Sequence, residues 1–211
     1  MEYAAIRIEN RDGVYAPSED SELAAGMLGR YLERHGRSGK LKVLDMGTAT
    51  GVLGIFAACS GFASEVAFTD ISPEAVALAR RNASANCGSL PVKLSFYQSD
   101  LFSSIDEGMA FDIIVFNAPY LRSGGEPDDA RWSGGAEGIE ASMRFLEGSL
   151  AHLSKAGVVI LVASSLGNLE KLDSFAKDLG FSLLEEEKKH YFFEDIVVKA
   201  FSFMGSANVK S

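Results

Sequence analysis

The 211-residue sequence predicts an α/β fold built on a doubly wound, mostly parallel sheet of seven strands. Short runs rich in Val, Ile, Leu and Phe alternate with stretches of helical spacing, which is the pattern of consecutive strand-helix-strand units. Runs such as IIVF and VVILV are apolar throughout, as is typical of strands buried on both faces. The last two runs have no helical stretch between them and therefore predict an antiparallel hairpin at the C-terminus.

The strands and helices follow one another in a regular order along the chain. Strands are predicted at residues 41–46, 65–69, 92–97, 112–116, 158–163, 181–184 and 191–203. Helices are predicted at residues 18–34, 52–59, 73–86, 137–152 and 168–179. We expect the charged segment 185–189 to join the last two strands.

The first predicted helix precedes the sheet and is amphipathic. Its apolar side chains recur at helical spacing, at Leu23, Met27, Leu28, Tyr31 and Leu32. We expect this helix to cover one end of the sheet, and Asp20 or Ser21 to cap its N-terminus. The chain then divides into an N-terminal segment with this capping helix (1–40), the main domain (41–204) and a tail of small polar residues (205–211).

Composition and charge exclude several classes of protein. The formal charge of −9 and the pI of about 4.9 disfavour binding to naked nucleic acid, which depends on Lys and Arg contacts with phosphates. No apolar run is long enough to span a bilayer and the N-terminus does not resemble a signal peptide, so we expect a cytoplasmic protein. The spacing of Cys59 and Cys87 suggests neither a disulfide nor a zinc site, and the three scattered histidines predict no metal site.

A glycine-rich turn after the first strand of the sheet is the strongest local signal. In VLDMGTATG, residues 43–51, a buried strand leads into Gly47, and Gly51 opens the next helix. The next two strands lead into Asp70 and Asp100, and ligands of open α/β sheets bind at such carboxyl ends. The middle glycine of the dinucleotide fingerprint is absent, which disfavours a dinucleotide. We therefore expect this turn to bind a nucleoside. The alternative is that its glycines serve only the packing of the strand against the helix.

The segment FNAPY, residues 116–120, follows the fourth predicted strand and carries groups suited to holding a planar NH2 nucleophile. The side-chain oxygen of Asn117 and the backbone carbonyl of Ala118 can each accept one of its two hydrogens and favour the charge that develops during attack. Pro119 stiffens the turn, and Tyr120 can pack its ring on the planar group. An ordinary turn containing Asn is the alternative.

Four segments together resemble one enzyme family. DMGTATG resembles the first motif of class I methyltransferases, and FNAPY resembles the NPPY motif of amino-group N-methyltransferases. Residues 14–28 and 131–146 are similar to segments of the HemK-like glutamine methyltransferases, especially their short archaeal and eukaryotic form. The resemblance implies a Rossmann-like class I methyltransferase fold and S-adenosylmethionine as cofactor, with no metal. We expect this chain to lack the additional helical N-terminal domain of bacterial members.

The resemblance also assigns residues to the site. It implies Asp45 near the amino-acid end of the cofactor, Asp70 on the ribose and Asp100 near the adenine amino group; a helix or turn cap is the alternative role for Asp100. Further cofactor contacts are expected from Ser21, Gly47, Thr48, Gly51, Ile71, Leu101 and Asn117. The catalytic group comprises Asn117, Ala118, Pro119 and Tyr120. Ala118 stands where the family has its first proline, which is expected to make the turn less rigid.

Members of this family methylate the side-chain amide of the glutamine in the GGQ loop of class I translation release factors. The resemblance therefore implies N5-glutamine methylation of a release factor, with no membrane and no direct nucleic-acid partner. It also implies a small zinc-binding activator that adds a strand beside the sheet. Residues 92–98 alternate apolar and polar positions and could form the edge that receives this strand; ordinary solvent-facing alternation is the alternative. Two alternatives stay open: methylation of another amino group, such as the adenine N6 of a nucleic acid, and a non-catalytic cofactor-binding subunit.

Overall fold

A computed structural model of the chain describes residues 5–37, 40–119, 138–191 and 193–203. Its helices are α1 (Glu19–Gly36), α2 (Val52–Cys59), α3 (Pro73–Cys87), α4 (Glu140–Ser149) and α5 (Leu169–Asp178). Its strands are β1 (Leu41–Met46), β2 (Ala63–Asp70), β3 (Lys93–Gln98), β4 (Phe111–Asn117), β5 (Leu153–Ser164), β6 (Phe181–Tyr191) and β7 (Glu194–Phe203). The expected tail at 205–211 lies outside the described residues.

The seven strands form one sheet in the order β3-β2-β1-β4-β5-β7-β6. Strands β1 to β5 pair in parallel, and β7 pairs antiparallel with both β5 and β6. The strand order reverses between β1 and β4, so a crevice opens there at the carboxyl ends of the parallel strands. The predicted doubly wound, mostly parallel sheet with a C-terminal antiparallel hairpin is confirmed.

Two apolar clusters cover the two faces of this sheet. Successive residues of the central strands enter different clusters, since Val43 packs with α1, α2 and α3, whereas Leu44 packs on the side of α4 and α5. This alternation follows from the two-residue period of a strand. Because both faces are covered, residues 113–116 of β4 and 158–163 of β5 are continuously apolar in sequence. Among the described residues, no helix is both long and apolar enough to cross a membrane.

The start of α1 differs from the prediction. The helix begins at Glu19 with Ser18 as its N-cap, so the expected caps Asp20 and Ser21 lie buried in the first turn. The Asp20 carboxylate accepts hydrogen bonds from the hydroxyls of Tyr15 and Ser18, at 2.7 and 2.9 Å. The predicted cap is wrong because these hydroxyls draw the Asp20 side chain into an interior network.

The C-terminal hairpin is present, but its first strand is longer than predicted. Residues 185–189 lie within β6 and pair with β7, so the prediction that they join two strands is wrong. β6 is an edge strand, and its acidic residues are partly neutralised by α1. A guanidinium nitrogen of Arg30 lies 2.8 Å from a carboxylate oxygen of Glu185 and 2.6 Å from one of Glu187. Charged edge strands look like loops in sequence, which explains the error.

Cys59 and Cys87 are brought together by the helices that they end. Cys59 is the last residue of α2 and Cys87 the last of α3, and their Sγ atoms lie 3.3 Å apart as free thiols. Their spacing in sequence does not predict this contact, because it depends on how α2 and α3 pack against each other.

Candidate active site

A cavity of about 550 Å³ opens at the carboxyl ends of the parallel strands. This volume is in the range of small-molecule and cofactor sites, and its place is the one where open α/β sheets bind ligands. The segments after β1, β2, β3 and β4 line it together with the start of α1. Most of the predicted site residues are among its lining residues: Ser21, Asp45, Gly47, Thr48, Asp70, Ile71, Asp100, Leu101, Asn117, Ala118 and Pro119.

Two predicted site residues stand apart from this group. Tyr120 lies outside the described residues. Gly51 is not among the described residues that line the cavity; it is the N-cap of α2, with a φ of 89°. A Cβ on Gly51 would lie 3.1 Å from the Cβ of Ala79. In this structure Gly51 therefore serves the turn into α2 and the close approach of α3.

The loop after β1 is a tight turn that packs on the neighbouring strands. Gly47 and Ala49 adopt positive φ angles of 59° and 49°. The backbone N–H of Thr48 donates a hydrogen bond of 2.8 Å to the carbonyl of Thr69. A Cβ on Gly47 would lie 2.8 Å from the ring of Phe116, so glycine is needed at this position. The loop therefore presents its backbone directly to the cavity.

Asp45 lies beneath this loop and ties it to α2. Its Oδ2 accepts hydrogen bonds from the hydroxyl of Thr48 at 2.6 Å and from the backbone N–H of Gly54 at 2.8 Å. Burial raises the pKa of Asp45 to about 7; the two hydrogen bonds oppose this rise, and the charge of Asp70 adds to it. Asp45 thus supports the loop from within, while its expected contact with the amino-acid end of the cofactor stays a prediction.

Asp70 is held at the end of β2 by two backbone N–H groups. Its Oδ2 accepts from Ala49 and its Oδ1 from Ser72, both at 2.9 Å. The carboxylate is half-buried and lines the cavity between the glycine loop and the start of α3. An oriented carboxylate at this position suits the predicted contact with the two ribose hydroxyls.

Asp100 lies at the outer side of the cavity, just beyond β3. A guanidinium nitrogen of Arg144 in α4 lies 2.8 Å from its carboxylate. Both side chains are at least half exposed, so this ion pair adds little to stability. An adenine amino group bound at Asp100 would share the carboxylate with Arg144.

Asn117 ends β4, and its amide is directed by two residues of α1. Its Nδ2 donates to Asp20 Oδ2 at 3.1 Å and to Ser21 Oγ at 3.4 Å. Its Oδ1 is buried and has no hydrogen-bond partner among the described residues. Ala118, next in the chain, is 2% exposed and packs in the cluster on the side of α4 and α5. Asn117 lines the cavity, and a buried acceptor without a partner calls for a hydrogen-bond donor, which an N–H group of a bound molecule would supply.

Asp20 and Arg144 also line the cavity, although the sequence did not predict them as site residues. For Asp20 a signal was available, because it lies in the segment 14–28 that resembles the HemK-like family. Arg144 likewise lies in the segment 131–146 that resembles this family, but its contact with Asp100 depends on how α4 packs near the segment that follows β3.

The charges around the cavity suit a cationic ligand without phosphate. Arg144 is the one cation among the described lining residues, whose acidic side chains are Asp20, Asp45, Asp70, Asp100, Glu140 and Glu194. Phosphate groups would be repelled by this set, whereas a sulfonium and an ammonium group would be attracted. The residues therefore fit S-adenosylmethionine. Within the described ranges no group of three or more His, Cys, Asp or Glu side chains could hold a metal ion.

Comparison with known proteins places these features in a family. The family model of the methyltransferase small domain matches residues 5–193. A protein of Methanocaldococcus jannaschii with the provisional name protein N5-glutamine methyltransferase is 34% identical over 203 residues, covering 94% of this chain and 96% of that protein. The release factor glutamine methyltransferase of Bacillus cereus is 32% identical over 71% of this chain, which spans 55% of the bacterial protein.

Two solved structures share the fold. The ribosomal protein L11 methylase of Lactobacillus delbrueckii subsp. bulgaricus has a TM-score of 0.67 and 26% identity, covering 94% of this chain and 84% of that one. A chain of the E. cuniculi Mtq2-Trm112 complex, which is responsible for methylation of the termination factor eRF1, has a TM-score of 0.64 and 24% identity over 89% of this chain and 97% of its own. Because the family model matches most of its length, and because its cavity is lined by acidic side chains and by the glycine loop after β1, this chain belongs to the methyltransferase small domain family. It is a class I enzyme that uses S-adenosylmethionine as methyl donor.

Proposed function

We propose that this methyltransferase acts on the side-chain nitrogen of a protein glutamine, and that this glutamine lies in the GGQ loop of a class I release factor. The observation that carries the proposal is the buried, unpaired Oδ1 of Asn117, which lies beside Ala118 on the cavity wall. A primary amide brings two N–H donors, and Asn117 Oδ1 with the Ala118 carbonyl supplies two acceptors.

The glutamine amide is a weak nucleophile because its nitrogen lone pair is delocalised into the carbonyl. Hydrogen bonds to Asn117 Oδ1 and the Ala118 carbonyl would hold the nitrogen in the direction of attack and stabilise the positive charge that develops on it. S-adenosylmethionine, when bound, supplies a methyl group on a sulfonium whose sulfur leaves as a neutral thioether. The methylated nitrogen then loses a proton to solvent, so this mechanism needs no general base.

A protein acceptor is favoured over a nucleic-acid base by the relatives and by the charge. The M. jannaschii relative is named for protein N5-glutamine methylation. The bacterial relatives from Bacillus cereus and Bacillus subtilis are named for release factor glutamine methylation, and this chain spans about half of their length. The formal charge of −9 is unfavourable for contact with a phosphate backbone. These points support the loop of a translation factor as the acceptor.

We further propose that β3 binds a small zinc-binding activator. β3 is an edge of the sheet, and no strand of the described residues pairs with its outer side. Leu94 and Phe96 are half-buried there, so an added strand would cover apolar surface as well as backbone groups. The E. cuniculi protein that shares the fold was solved with Trm112, and a Trm112-type protein is therefore the partner to test.

The acceptor is tested with a synthetic GGQ-loop peptide and the corresponding full-length release factor. The enzyme is incubated with methyl-labelled cofactor, with and without its Trm112-type partner, and the products are mapped by mass spectrometry. We expect one methyl group on the glutamine, and none on a control peptide in which asparagine replaces it. Asn117→Ala is expected to lower kcat by about 100-fold or more, a far larger effect than its change in the Kd for the cofactor, measured by calorimetry.

Two other outcomes would overturn this assignment. Methylation of adenine in a DNA or RNA oligonucleotide, with the peptide left unmodified, would replace glutamine by a base as the acceptor. Cofactor binding without transfer to any acceptor, in the presence of the partner, would support a non-catalytic subunit.

The activator site is tested by amide hydrogen exchange on the complex. We expect the amides of β3 to exchange more slowly when the Trm112-type protein is bound, and those of the opposite edge strand, β6, to be unchanged. Slower exchange at β6 alone would place the partner on the other edge. The zinc content of the purified partner, measured by atomic emission, tests the remaining part of the proposal.

A further inference from the structure

Asp20 has the geometry of a residue that orients the amide of Asn117. It lies in the first turn of α1, is 3% exposed, and its Oδ2 accepts a hydrogen bond from Asn117 Nδ2 at 3.1 Å. The two residues are 97 positions apart and meet because α1 packs against β4.

The Asp20 carboxylate is itself held in place. The hydroxyl of Tyr15 donates to Oδ2 at 2.7 Å, while Oδ1 accepts from the hydroxyl of Ser18 at 2.9 Å and the backbone N–H of Ser21 at 2.6 Å. Its position in the first turn of α1 adds the attraction of a helix N-terminus for negative charge. Asn117 therefore faces a fixed, charged acceptor.

A fixed carboxylate determines which way the Asn117 amide points. Carboxylate oxygens only accept hydrogen bonds, so the amide turns its NH2 group to Asp20 and Oδ1 takes the other side of the planar group. Oδ1 is the atom that is buried without a partner among the described residues. Without the carboxylate, half a turn of the amide would present NH2 to the NH2 of the acceptor, and the two donors would repel each other.

We propose that Asp20 is a positioning residue for methyl transfer, fixing Asn117 with Oδ1 toward the acceptor nitrogen. Its negative charge also polarises the amide, which makes Oδ1 a stronger hydrogen-bond acceptor. This inference rests on the proposed function, since it concerns an acceptor with N–H donors.

The first test compares Asp20→Asn with Glu19→Gln, which removes the same charge from the exposed neighbour in the same helical turn. We expect Asp20→Asn to lower kcat on the GGQ peptide about 10- to 100-fold, because a charge-assisted hydrogen bond is lost. The Kd for the cofactor and the KM for the peptide should each change by less than about threefold, which is much smaller than the expected change in kcat. Glu19→Gln should behave as wild type. Equal losses of kcat and cofactor affinity would mean that Asp20 supports the cofactor site, and would overturn the proposal.

Spectroscopy of the Asn117 side chain tests its orientation without turnover. Its NH2 resonances in ¹⁵N-labelled protein are identified by their disappearance in Asn117→Asp. We expect these resonances to shift in Asp20→Asn and to stay in place in Glu19→Gln, and no shift in Asp20→Asn would overturn the assignment. If wild type transfers no methyl group to glutamine, the proposed function fails, while the resonances still decide whether Asp20 orients Asn117.

A second variant covers the case in which Asp20→Asn does not fold. Tyr15→Phe removes the hydroxyl that donates to Asp20 Oδ2 and also lies 2.7 Å from the Ser18 hydroxyl, and it leaves the charge of Asp20 in place. We expect it to lower kcat by about three- to tenfold, the effect of weakening the hold on the Asp20 carboxylate, with a smaller change in cofactor affinity. An unchanged kcat in a folded Tyr15→Phe would overturn the proposal.

Discussion

The backbone N–H of Gly54 donates a hydrogen bond of 2.8 Å to the carboxylate of Asp45, joining the end of β1 to the first turn of α2. Asp45 is 2% exposed, and burial raises its pKa from an ordinary value of 3.8 to about 7. This carboxyl group therefore keeps its proton through much of the acidic range. Because Asp45 also bonds Thr48 in the loop after β1, its contribution to stability depends on pH.

Stability should fall as the pH rises through this range. The folded chain binds the Asp45 proton more tightly than the unfolded chain, so the contribution to the free energy of unfolding is complete below pH 3.8 and is lost as the pH approaches about 7. The loss is roughly 4 kcal/mol at most. Asp45→Asn keeps an oxygen for Thr48 and Gly54 and should show a flatter profile. Urea unfolding across this pH range measures both proteins, and parallel profiles would contradict the raised pKa.

Gly54 should tolerate no larger side chain, although alanine is the better helix former. A Cβ at this position would fall closer to the Phe68 ring than real contacts allow, and that ring is fully buried and stacked on Phe96 at 4.7 Å. We expect Gly54→Ala to destabilise the protein by about 1–3 kcal/mol. Gly26→Ala is the matched control in α1, where the nearest atom is the end of Arg30 at 3.9 Å. It should stabilise by about 0.5–1 kcal/mol. Shifts of the same sign in urea unfolding would contradict this difference.

The elements that the sequence predicts best are those whose pattern is local. The predicted helix at 52–59 coincides with α2, and the runs of β4 and β5 are readable because both faces of the sheet are covered. The length of β6 is not predicted correctly, because Glu185 and Glu187 are typical of a loop in sequence. In the structure Arg30 forms ion pairs with both of them. That partner is 155 positions from Glu185, and no local pattern contains it.

Some residues of the candidate site could likewise be predicted from the sequence and others could not. Asp70 and Asp100 could be placed at the cavity because strand ends of a parallel sheet meet at one edge. The sequence predicts Asp20 as a helix cap. Its contact with Asn117 is not predicted, because that contact depends on how α1 packs against β4. Residues that follow from topology were therefore predictable, and residues that follow from the packing of two distant elements were not.

Cys87 should be chemically inert in the folded protein despite its contact with a second thiol. Burial raises its pKa well above the ordinary value of a thiol, and the hydrogen bond with Cys59 adds to the rise. Alkylation requires the thiolate, so this raised pKa strongly slows labelling of the folded protein. Mass spectrometry after a timed pulse of iodoacetamide should find Cys87 unmodified in native protein and modified in urea. Equal labelling rates in the two states would contradict the raised pKa.

Asp70 should matter for the cofactor more than for the fold. Asp70→Asn retains one acceptor oxygen, so it loses either the hydrogen bond from Ala49 or that from Ser72, together with the charge that we expect to face the ribose hydroxyls. We expect the Kd for S-adenosylmethionine to rise about 10- to 100-fold, the effect of losing one or two charged hydrogen bonds. Asp178→Asn, at the exposed end of α5, makes the same chemical change away from the cavity and should leave this Kd unchanged. Titration calorimetry measures both variants, and an unchanged Kd in Asp70→Asn would remove Asp70 from the cofactor site.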